Sequence, residues 1–425
     1  MKKVKLTELE EVLNFYRNAR REMGEEPPEE KKINALTFEC LIDFLEETLR
    51  VADEGKKKIG WFGPGITREP LLAMDIHPYR AELLVGLLPT SRPEVLRRYV
   101  DIAENAGLPA EMCSIDRGAV GLILSGQLPP PDFIVGASLP CDNIVIGYQI
   151  YNNYLGVPSY HPDAPYGDDE ESIRYYADQL KGMIAFMEAQ TGKKMDWDRL
   201  KEIVEESNRA YEYLLETNEL RKAVPCPQSG RLLTMSNFLN SVGAGQPKGT
   251  AVFRQIHEDA RKRARLGLGV VEEERSRTVW FMLPTYFDLS IFDWMEQEFG
   301  AVIVMDMFSY ATIDPVDTST PESMLRGLAV KALNAPMARQ LRGPTDFYTD
   351  DLVRVCEEYQ GDCVIYAGHE GCKMAWGSVG LIRETCKEID RPLLVFDMDA
   401  FSAPPAASGE IRRRIEEFFC TVVQP

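Results

Sequence analysis

Four short apolar runs separated by amphipathic stretches constrain the C-terminal third of the chain more than any other feature. The runs are RTVWFMLP, GAVIVMDM, DCVIYAG and RPLLVFDMD, which begin at Arg277, Gly300, Asp362 and Arg391. Runs of four or more apolar residues are typical of strands buried on both faces. Their alternation with helical stretches predicts a mostly parallel, doubly wound sheet.

The same alternation occurs earlier in the chain. AELLVGLLP, PDFIVGAS and GVPSYHPD predict strands, and PEVLRRYVDIAENAG predicts a helix between two of them. Between these regions the apolar spacing becomes helical, at Ile173, Tyr176 and Leu180, and Asp196 is a plausible N-cap of the next helix. The sequence therefore predicts an α/β protein with two Rossmann-like parallel-sheet lobes and a helical insert between them. The predicted ranges are an N-terminal helical segment (1–56), a first lobe (57–167), the insert (168–276) and a second lobe (277–425).

Charge and hydropathy argue against nucleic-acid and membrane partners. The formal net charge of the 425 residues is −19, which argues against a nucleic-acid partner, since that needs a basic surface. The chain has no run of about 20 apolar residues that would span a membrane. Its N-terminus has two early lysines and no apolar segment of a signal peptide after them. We therefore expect a cytoplasmic protein that binds neither nucleic acid nor membrane.

Common nucleotide and zinc motifs are missing. There is no CxxC pair, and GAGQPKGT lacks the Gly-Lys-Ser/Thr ending of a P-loop. GPGITREP begins like a dinucleotide-binding loop, but Arg68 stands at the position of the third glycine. The sequence thus favours a protein that does not bind ATP through a P-loop.

Three of the nine cysteines follow predicted strands. Cys141 closes PDFIVGASLPC, Cys372 lies in HEGCK after the strand DCVIYAG, and Cys113 is expected to end a short strand before a helix near Arg117. Ligands of open α/β sheets bind outside the carboxyl ends of the strands. Cysteine thiolates are the usual ligands of iron–sulfur clusters. Spacing alone leaves two interpretations open, a cluster site and buried structural cysteines.

Blocks along nearly the whole chain resemble a known family, the activator-dependent 2-hydroxyacyl-CoA dehydratases with the related benzoyl-CoA reductase subunits. Asp75, in the first block, stands where that family usually has a glycine. The blocks, in chain order, are EPLLAMDIHP, CSIDRG with PPPDFIVGASLPCDN, GVPSYHPDAP, EAQTGKKMDWDRLKEIVEESNRA, GDCVIYAGHEGCK and RPLLVFDMDAFSAPPAASGEIRRRIEEFF.

This resemblance implies that Cys113, Cys141 and Cys372 ligate one [4Fe–4S] cluster. It implies a lyase that converts an (R)-2-hydroxyacyl-CoA to the enoyl-CoA through a ketyl radical anion, with the thioester carbonyl on the open iron. It also implies two partners: a separate ATP-hydrolysing iron–sulfur activator that supplies the electron, and a homologous second subunit or a second copy of the chain. Four residues beside the cluster loops could orient the thioester or move protons, or donate hydrogen bonds to cluster sulfurs, which is the interpretation we favour. They are Arg117, His369, Glu370 and Lys373.

Three alternatives remain. The chain could be a benzoyl-CoA reductase-type subunit that delivers low-potential electrons to an aromatic acyl-CoA. It could be a double-cubane protein that reduces small molecules with an [8Fe–9S] cluster, which needs about six cysteines; Cys356, Cys363 and Cys386 could add to the first three, but core packing is the simpler explanation for them. In a different class, it could be a non-catalytic partner or electron-relay subunit.

Overall fold

The computed structural model describes residues 4–136, 138–404 and 406–424. Residues 1–3 of the predicted N-terminal segment, Ala137 in PDFIVGAS, and Pro405 and Pro425 of the predicted second lobe lie outside that description. Among the described residues, no helix combines the length and apolarity needed to cross a bilayer.

The first lobe contains a four-stranded parallel sheet with strand order β2-β1-β3-β4. Two helices precede it, separated by a short 3-10 turn at Glu29–Lys31. In chain order the elements are α1 (Thr7–Glu22), α2 (Lys32–Glu54), β1 (Ile59–Phe62), α3 (Glu69–Ala73), β2 (His77–Tyr79), α4 (Ala81–Ser91), α5 (Val95–Asn105), α6 (Ser114–Leu124), β3 (Phe133–Val135), α7 (Asp142–Leu155) and β4 (Ser159–Tyr160).

The insert is helical, as predicted. Ile173, Tyr176 and Leu180 are buried, and the Arg199 amide donates a 2.9 Å hydrogen bond to Asp196 Oδ1, which confirms the N-cap. The insert helices are α8 (Glu170–Thr191), α9 (Trp197–Leu220), α10 (Gly230–Gly243) and α11 (Pro247–Arg265).

The second lobe repeats the architecture of the first, with parallel strand order β6-β5-β7-β8. All four predicted strands are present. The elements are β5 (Ser276–Trp280), α12 (Ser290–Phe299), β6 (Ala301–Asp306), α13 (Pro321–Asn334), α14 (Ala338–Arg342), α15 (Asp346–Glu358), β7 (Cys363–His369), α16 (Lys373–Glu388), β8 (Leu393–Met398), α17 (Ala407–Phe418) and a π-helical turn (Phe419–Val423). The expected fold class, two Rossmann-like parallel-sheet lobes, is confirmed; the exact domain boundaries stay a prediction.

Two local predictions in the first lobe were wrong. AELLVGLLP is not a strand but helix α4, whose residues 81–89 are all buried. A short apolar run carries no periodicity that separates a strand from a helix buried on all sides. The segment before Cys113 is also not a strand, since residues 110–112 form a turn and α6 begins at Ser114 instead of near Arg117.

The unusual Asp75 has a backbone φ of +58°. Glycine adopts this left-handed conformation without the steric cost that a Cβ brings. The turn between α3 and β2 therefore keeps the geometry of a glycine turn in spite of the aspartate.

Candidate functional site

Three cysteines from three different loops meet between the two lobes. Cys113, Cys141 and Cys372 each immediately precede a helix, respectively α6, α7 and α16. The loop after β7 packs directly on the first lobe: a Cβ on Gly371 would lie only 2.9 Å from the Cys113 amide nitrogen. Cys141 and Cys372 follow the strands β3 and β7, which occupy equivalent places in the two sheets. The fold thus brings together all three cysteines singled out in the sequence.

The surroundings of the sulfurs have two opposing effects on the thiols. Burial raises the pKa of all three thiols, that of Cys141 to about 12, and the neighbouring cysteines raise the pKa of Cys113 further. Backbone amides of the first turn of each following helix lower the pKa of these thiols. The Ala375 amide, for example, donates to Cys372 Sγ at 3.5 Å. The positive ends of three helices therefore point at the sulfurs. Such a site favours thiolates once metal is bound, because a coordinated thiol is deprotonated.

The donor types at this site suit an iron–sulfur cluster, because cysteine thiolates are the usual ligands of such clusters. Within the described ranges, no three His, Cys, Asp or Glu side chains are grouped as the ligands of one metal ion. In a cubane each cysteine binds a different iron, so the sulfurs lie further apart than the ligands of one ion. The three cysteines are partly buried, and backbone amides donate hydrogen bonds to each sulfur.

His369 is oriented as a hydrogen-bond donor to one of these sulfurs. The Ala400 amide donates to His369 Nδ1 at 3.1 Å, so the ring proton of the neutral imidazole is on Nε2. Nε2 lies 3.1 Å from Cys113 Sγ. Burial lowers the pKa of His369, which keeps the ring neutral. The His369 imidazole is therefore placed to donate a hydrogen bond from Nε2 to the Cys113 sulfur.

The other three predicted residues lie near the cysteine loops in different environments. Arg117 is buried and forms an ion pair with Glu104. Glu370 is exposed. Partial burial, followed by the negative charge of the nearby Asp399, raises the pKa of its carboxyl group. Lys373 is exposed at the first position of α16. Only His369 among the four is hydrogen-bonded to a cysteine sulfur.

A buried carboxyl group beside the site was missed by the sequence analysis. Asp116 is 1% exposed, and burial, followed by the charge of Glu82, raises its pKa to about 8. The Tyr151 hydroxyl donates to its Oδ1 at 2.8 Å, and the Asn143 side-chain amide donates to its Oδ2. The available signal was a single carboxylate in the apolar helix SIDRGAVGLIL, three residues after Cys113.

The additional cysteines are remote from this site. Cys356, Cys363 and Cys386 are buried and lie near one another. Cys363 opens β7, whereas Cys372 follows its end. A seven-residue strand is roughly 20 Å long, so the two groups are separated by about that distance.

Comparisons with known proteins agree on one family. A family model described as 2-hydroxyglutaryl-CoA dehydratase, D-component, matches residues 66–420. The chain is 20% identical over 402 residues to the (R)-2-hydroxyisocaproyl-CoA dehydratase alpha subunit of Clostridioides difficile, covering 91% of this chain and 95% of that one. It is 21% identical over 399 residues to a benzoyl-CoA reductase subunit of Thauera aromatica, covering 88% and 90%. The (R)-phenyllactyl-CoA dehydratase alpha subunit of Clostridium sporogenes is 20% identical over 264 residues, or 59% and 63% of the two chains.

Proposed function

The chain belongs to the 2-hydroxyglutaryl-CoA dehydratase D-component family, and from this membership we propose that it is the iron–sulfur subunit of an activator-dependent (R)-2-hydroxyacyl-CoA dehydratase. Relatives that cover about nine-tenths of the chain are named as components of dehydratase and reductase enzymes. The observation that carries the proposal is the convergence of Cys113, Cys141 and Cys372 at three helix N-termini between the lobes.

These three cysteines would hold one [4Fe–4S] cluster. When bound, the cluster would supply a Lewis-acidic iron for the thioester carbonyl and the single low-potential electron that makes loss of a 2-hydroxyl group feasible. The protein's own residues would hold the cluster and direct hydrogen-bond donors at the cysteine sulfurs. The amides of α6, α7 and α16 direct their positive ends at the sulfurs, and His369 donates its Nε2 proton to Cys113.

The partners follow from the same proposal. Relatives are named as single subunits of dehydratase and reductase enzymes, which supports a partner subunit for this chain. We propose a homologous second subunit or a second copy, together with an ATP-hydrolysing iron–sulfur activator and an acyl-CoA substrate.

A benzoyl-CoA reductase-type reaction is the second candidate, because the match to the benzoyl-CoA reductase subunit covers the chain almost as fully as the dehydratase match. The double-cubane alternative has less support, since Cys356, Cys363 and Cys386 lie at the other end of β7. A partner role without any cluster would leave the three converging cysteines without a use, whereas an electron-relay subunit would still use them.

Iron and acid-labile sulfide per chain, after anaerobic purification, test the proposal directly. We expect about four irons per chain in the wild type, loss of most iron in Cys141→Ser, and unchanged iron in the control Cys420→Ser, whose residue is exposed. Unchanged iron in Cys141→Ser would remove that cysteine from the ligand set. The loaded protein with activator, ATP and reductant is then given 2-hydroxyacyl-CoA or benzoyl-CoA. Turnover of benzoyl-CoA alone would favour the reductase.

A further inference from the structure

Helix α16, which directly follows Cys372, presents an apolar face to the solvent. Trp376 and Leu381 on this helix are 37% and 45% exposed. Gly377 and Gly380, between them, are exposed as well. A Cβ added to either glycine would have no heavy atom of the described residues within 4 Å outside the helix backbone. Exposed apolar surface of this kind is typical of a face that another protein surface covers.

Within the described chain, no contact or turn requires the two glycines. Glycine in a helix interior is less favourable than alanine, because its backbone loses more freedom on folding. Neither Gly377 nor Gly380 has a positive φ, so neither serves a left-handed turn. Glycine does allow a second backbone to approach closely. The pair therefore leaves room for another helix to lie against α16.

Charged residues are placed at both ends of this face. Lys373 and Glu384 lie in line with the two glycines, with spacings of four, three and four residues along the helix. Glu370 precedes the helix, and Lys387 is in its last turn. All four charged side chains are exposed, and none forms an ion pair with a residue that the structure describes. Each end of the face thus has one unpaired cation and one unpaired anion.

The pattern matches itself when the helix direction is reversed. In an antiparallel pair of α16 helices whose twofold axis passes between positions 378 and 379, positions equally far from that point lie at the same level. Lys373 then faces Glu384 of a second copy, and each glycine faces the other. Trp376 and Leu381 lie on either side of the line of glycines and would cover the flanks of the contact. A parallel pair would instead place like charges opposite each other, which is unfavourable.

The reversed helix would also approach the turn that carries one of the three cysteines. Glu370, in the turn before Cys372, has the carboxylates of Asp397 and Asp399 nearby. By the same symmetry, Lys387 of the second copy lies at the level of this acidic edge. Its positive charge would be favoured there, and the end of the second helix would cover the turn.

We propose that α16 forms the centre of an antiparallel, twofold interface between two copies of this chain. The proposal narrows the partner named under the proposed function to a second copy, and it rests on that function only in treating the turn at Cys372 as part of a cluster site. A second copy fits this face better than a different protein, because both signs of charge recur at matching distances from the glycines.

Charge reversal in the full-length, anaerobic protein tests the interface. Sedimentation equilibrium should give twice the chain mass of 48.1 kDa for the wild type. Lys373→Glu and Glu384→Lys each place like charges opposite each other twice, so we expect either change to raise the dissociation constant about tenfold. The control Arg174→Glu, whose residue is exposed on α8, should leave the dissociation constant unchanged.

Mixing the two weakened variants tests the antiparallel arrangement itself. A mixed pair of Lys373→Glu and Glu384→Lys chains again has opposite charges at both contacts, so the equimolar mixture should recover the wild-type dissociation constant. Recovery would also show that both variants are folded. Two weakened variants that do not associate with each other would overturn the interface. A wild type that stays monomeric at every concentration would overturn it too, as would a dimer that neither reversal weakens.

Alanine at Gly380 gives a second, independent measurement. In dilute solution, where the copies are separate, Gly380→Ala should stabilise the helix of the single chain. It should nevertheless weaken the dimer, because the methyl group takes the space of the second backbone. An unchanged dimer would contradict the close contact. Iron content separates this inference from the proposed function: iron without a dimer contradicts only the interface, and a dimer without iron contradicts only the function.

Discussion

If Cys113 ligates the proposed cluster, the Nε2 proton of His369 should have a measurable effect on the reduction potential of that cluster. Hydrogen bonds to cluster sulfurs stabilise the more negative, reduced state and so raise the reduction potential. We expect His369→Phe to keep most of its iron and to lower the midpoint potential by about 60 mV, a tenfold change in a one-electron equilibrium. An EPR-monitored redox titration measures it.

A variant that keeps a hydrogen-bond donor separates the effect of this hydrogen bond on the potential from the effect of packing against Phe401. The Phe401 ring contacts His369 edge-on. His369→Gln can still donate an amide proton to Cys113 and should keep most of the wild-type potential. Equal potentials in wild type and His369→Phe would show that the bond has no electronic role.

The carboxyl group of Asp116 makes stability depend on pH. Its pKa in the folded protein, about 8, is above the value of about 4 in an unfolded chain. The folded state therefore binds more protons between these values, and stability is lost as pH rises from about 4 to about 8. Asp116→Asn removes this dependence. In iron-free protein, we expect the stability of the variant relative to wild type to rise between pH 5 and 7.5 by up to about 1.4 kcal/mol per pH unit.

Urea unfolding at several pH values checks this, because the other titrating groups are common to both proteins and cancel in the difference. Asparagine can keep both contacts if its amide nitrogen faces the Tyr151 oxygen. A constant difference across the pH range would mean that Asp116 titrates normally.

At the scale of elements, the turn from β7 to α16 depends on a glycine. Gly371 has a φ of +79°, and a Cβ there would lie 2.8 Å from the Met112 carbonyl carbon, which belongs to the other lobe. Gly371→Ala should therefore destabilise the protein by more than about 1–2 kcal/mol, the cost of the left-handed backbone alone, and reduce iron content. Urea unfolding and iron analysis measure both effects.

Gly377, on the exposed side of α16, is the matched control, since no heavy atom outside its helix lies within 4 Å of the added Cβ. Alanine in this helix interior should stabilise by roughly 0.5–1 kcal/mol. Loss of iron in both variants would mean that the helix, not the turn, is sensitive.

How much of each element could be predicted depended on the type of signal. The second-lobe strands were predictable because each is a long apolar run between clear helices, and Cys372 was placed correctly after one of them. In the first lobe β1 and β2 have only four and three residues, and the buried helix α4 imitates a strand. Cys113 lies beside the other two cysteines as expected, but it precedes a helix and does not end a strand. Asp116 was missed because its burial depends on residues far away in the chain.

At the scale of the whole molecule, both sheets have the same strand order, with the first strand of each beside the third. The order reverses there, and ligands of open α/β sheets bind at such a point. Cys141 and Cys372 follow the third strands, so each lobe contributes an equivalent cysteine. Ser114, next to Cys113, donates a 2.7 Å hydrogen bond to Asp399 of the second lobe. The site therefore depends on how the lobes are held together.

The first lobe, the insert and the second lobe meet in one buried polar cluster. Glu69 of α3 accepts hydrogen bonds from Lys331 of α13 and Ser207 of α9, both at 2.7 Å. Burial alone would raise the pKa of Glu69, but the charge and hydrogen bond of Lys331 lower it to about 2. This stabilisation is complete above the ordinary pKa of a glutamate, near 4.5, and is lost as pH falls toward 2.

Removing only the cation should therefore be costly. Lys331→Met leaves the Glu69 carboxylate buried without its partner, for which we expect a loss of about 3–5 kcal/mol at pH 7. The loss should shrink at pH 5, because the unpaired carboxyl group can then take up a proton. Glu69→Gln combined with Lys331→Met should recover most of the stability, since no buried charge remains. A double-mutant cycle from urea midpoints measures the coupling. Additive effects would show that the pair does not join the two lobes energetically, whereas strong coupling with iron loss in Lys331→Met alone would tie cluster binding to the contact between them.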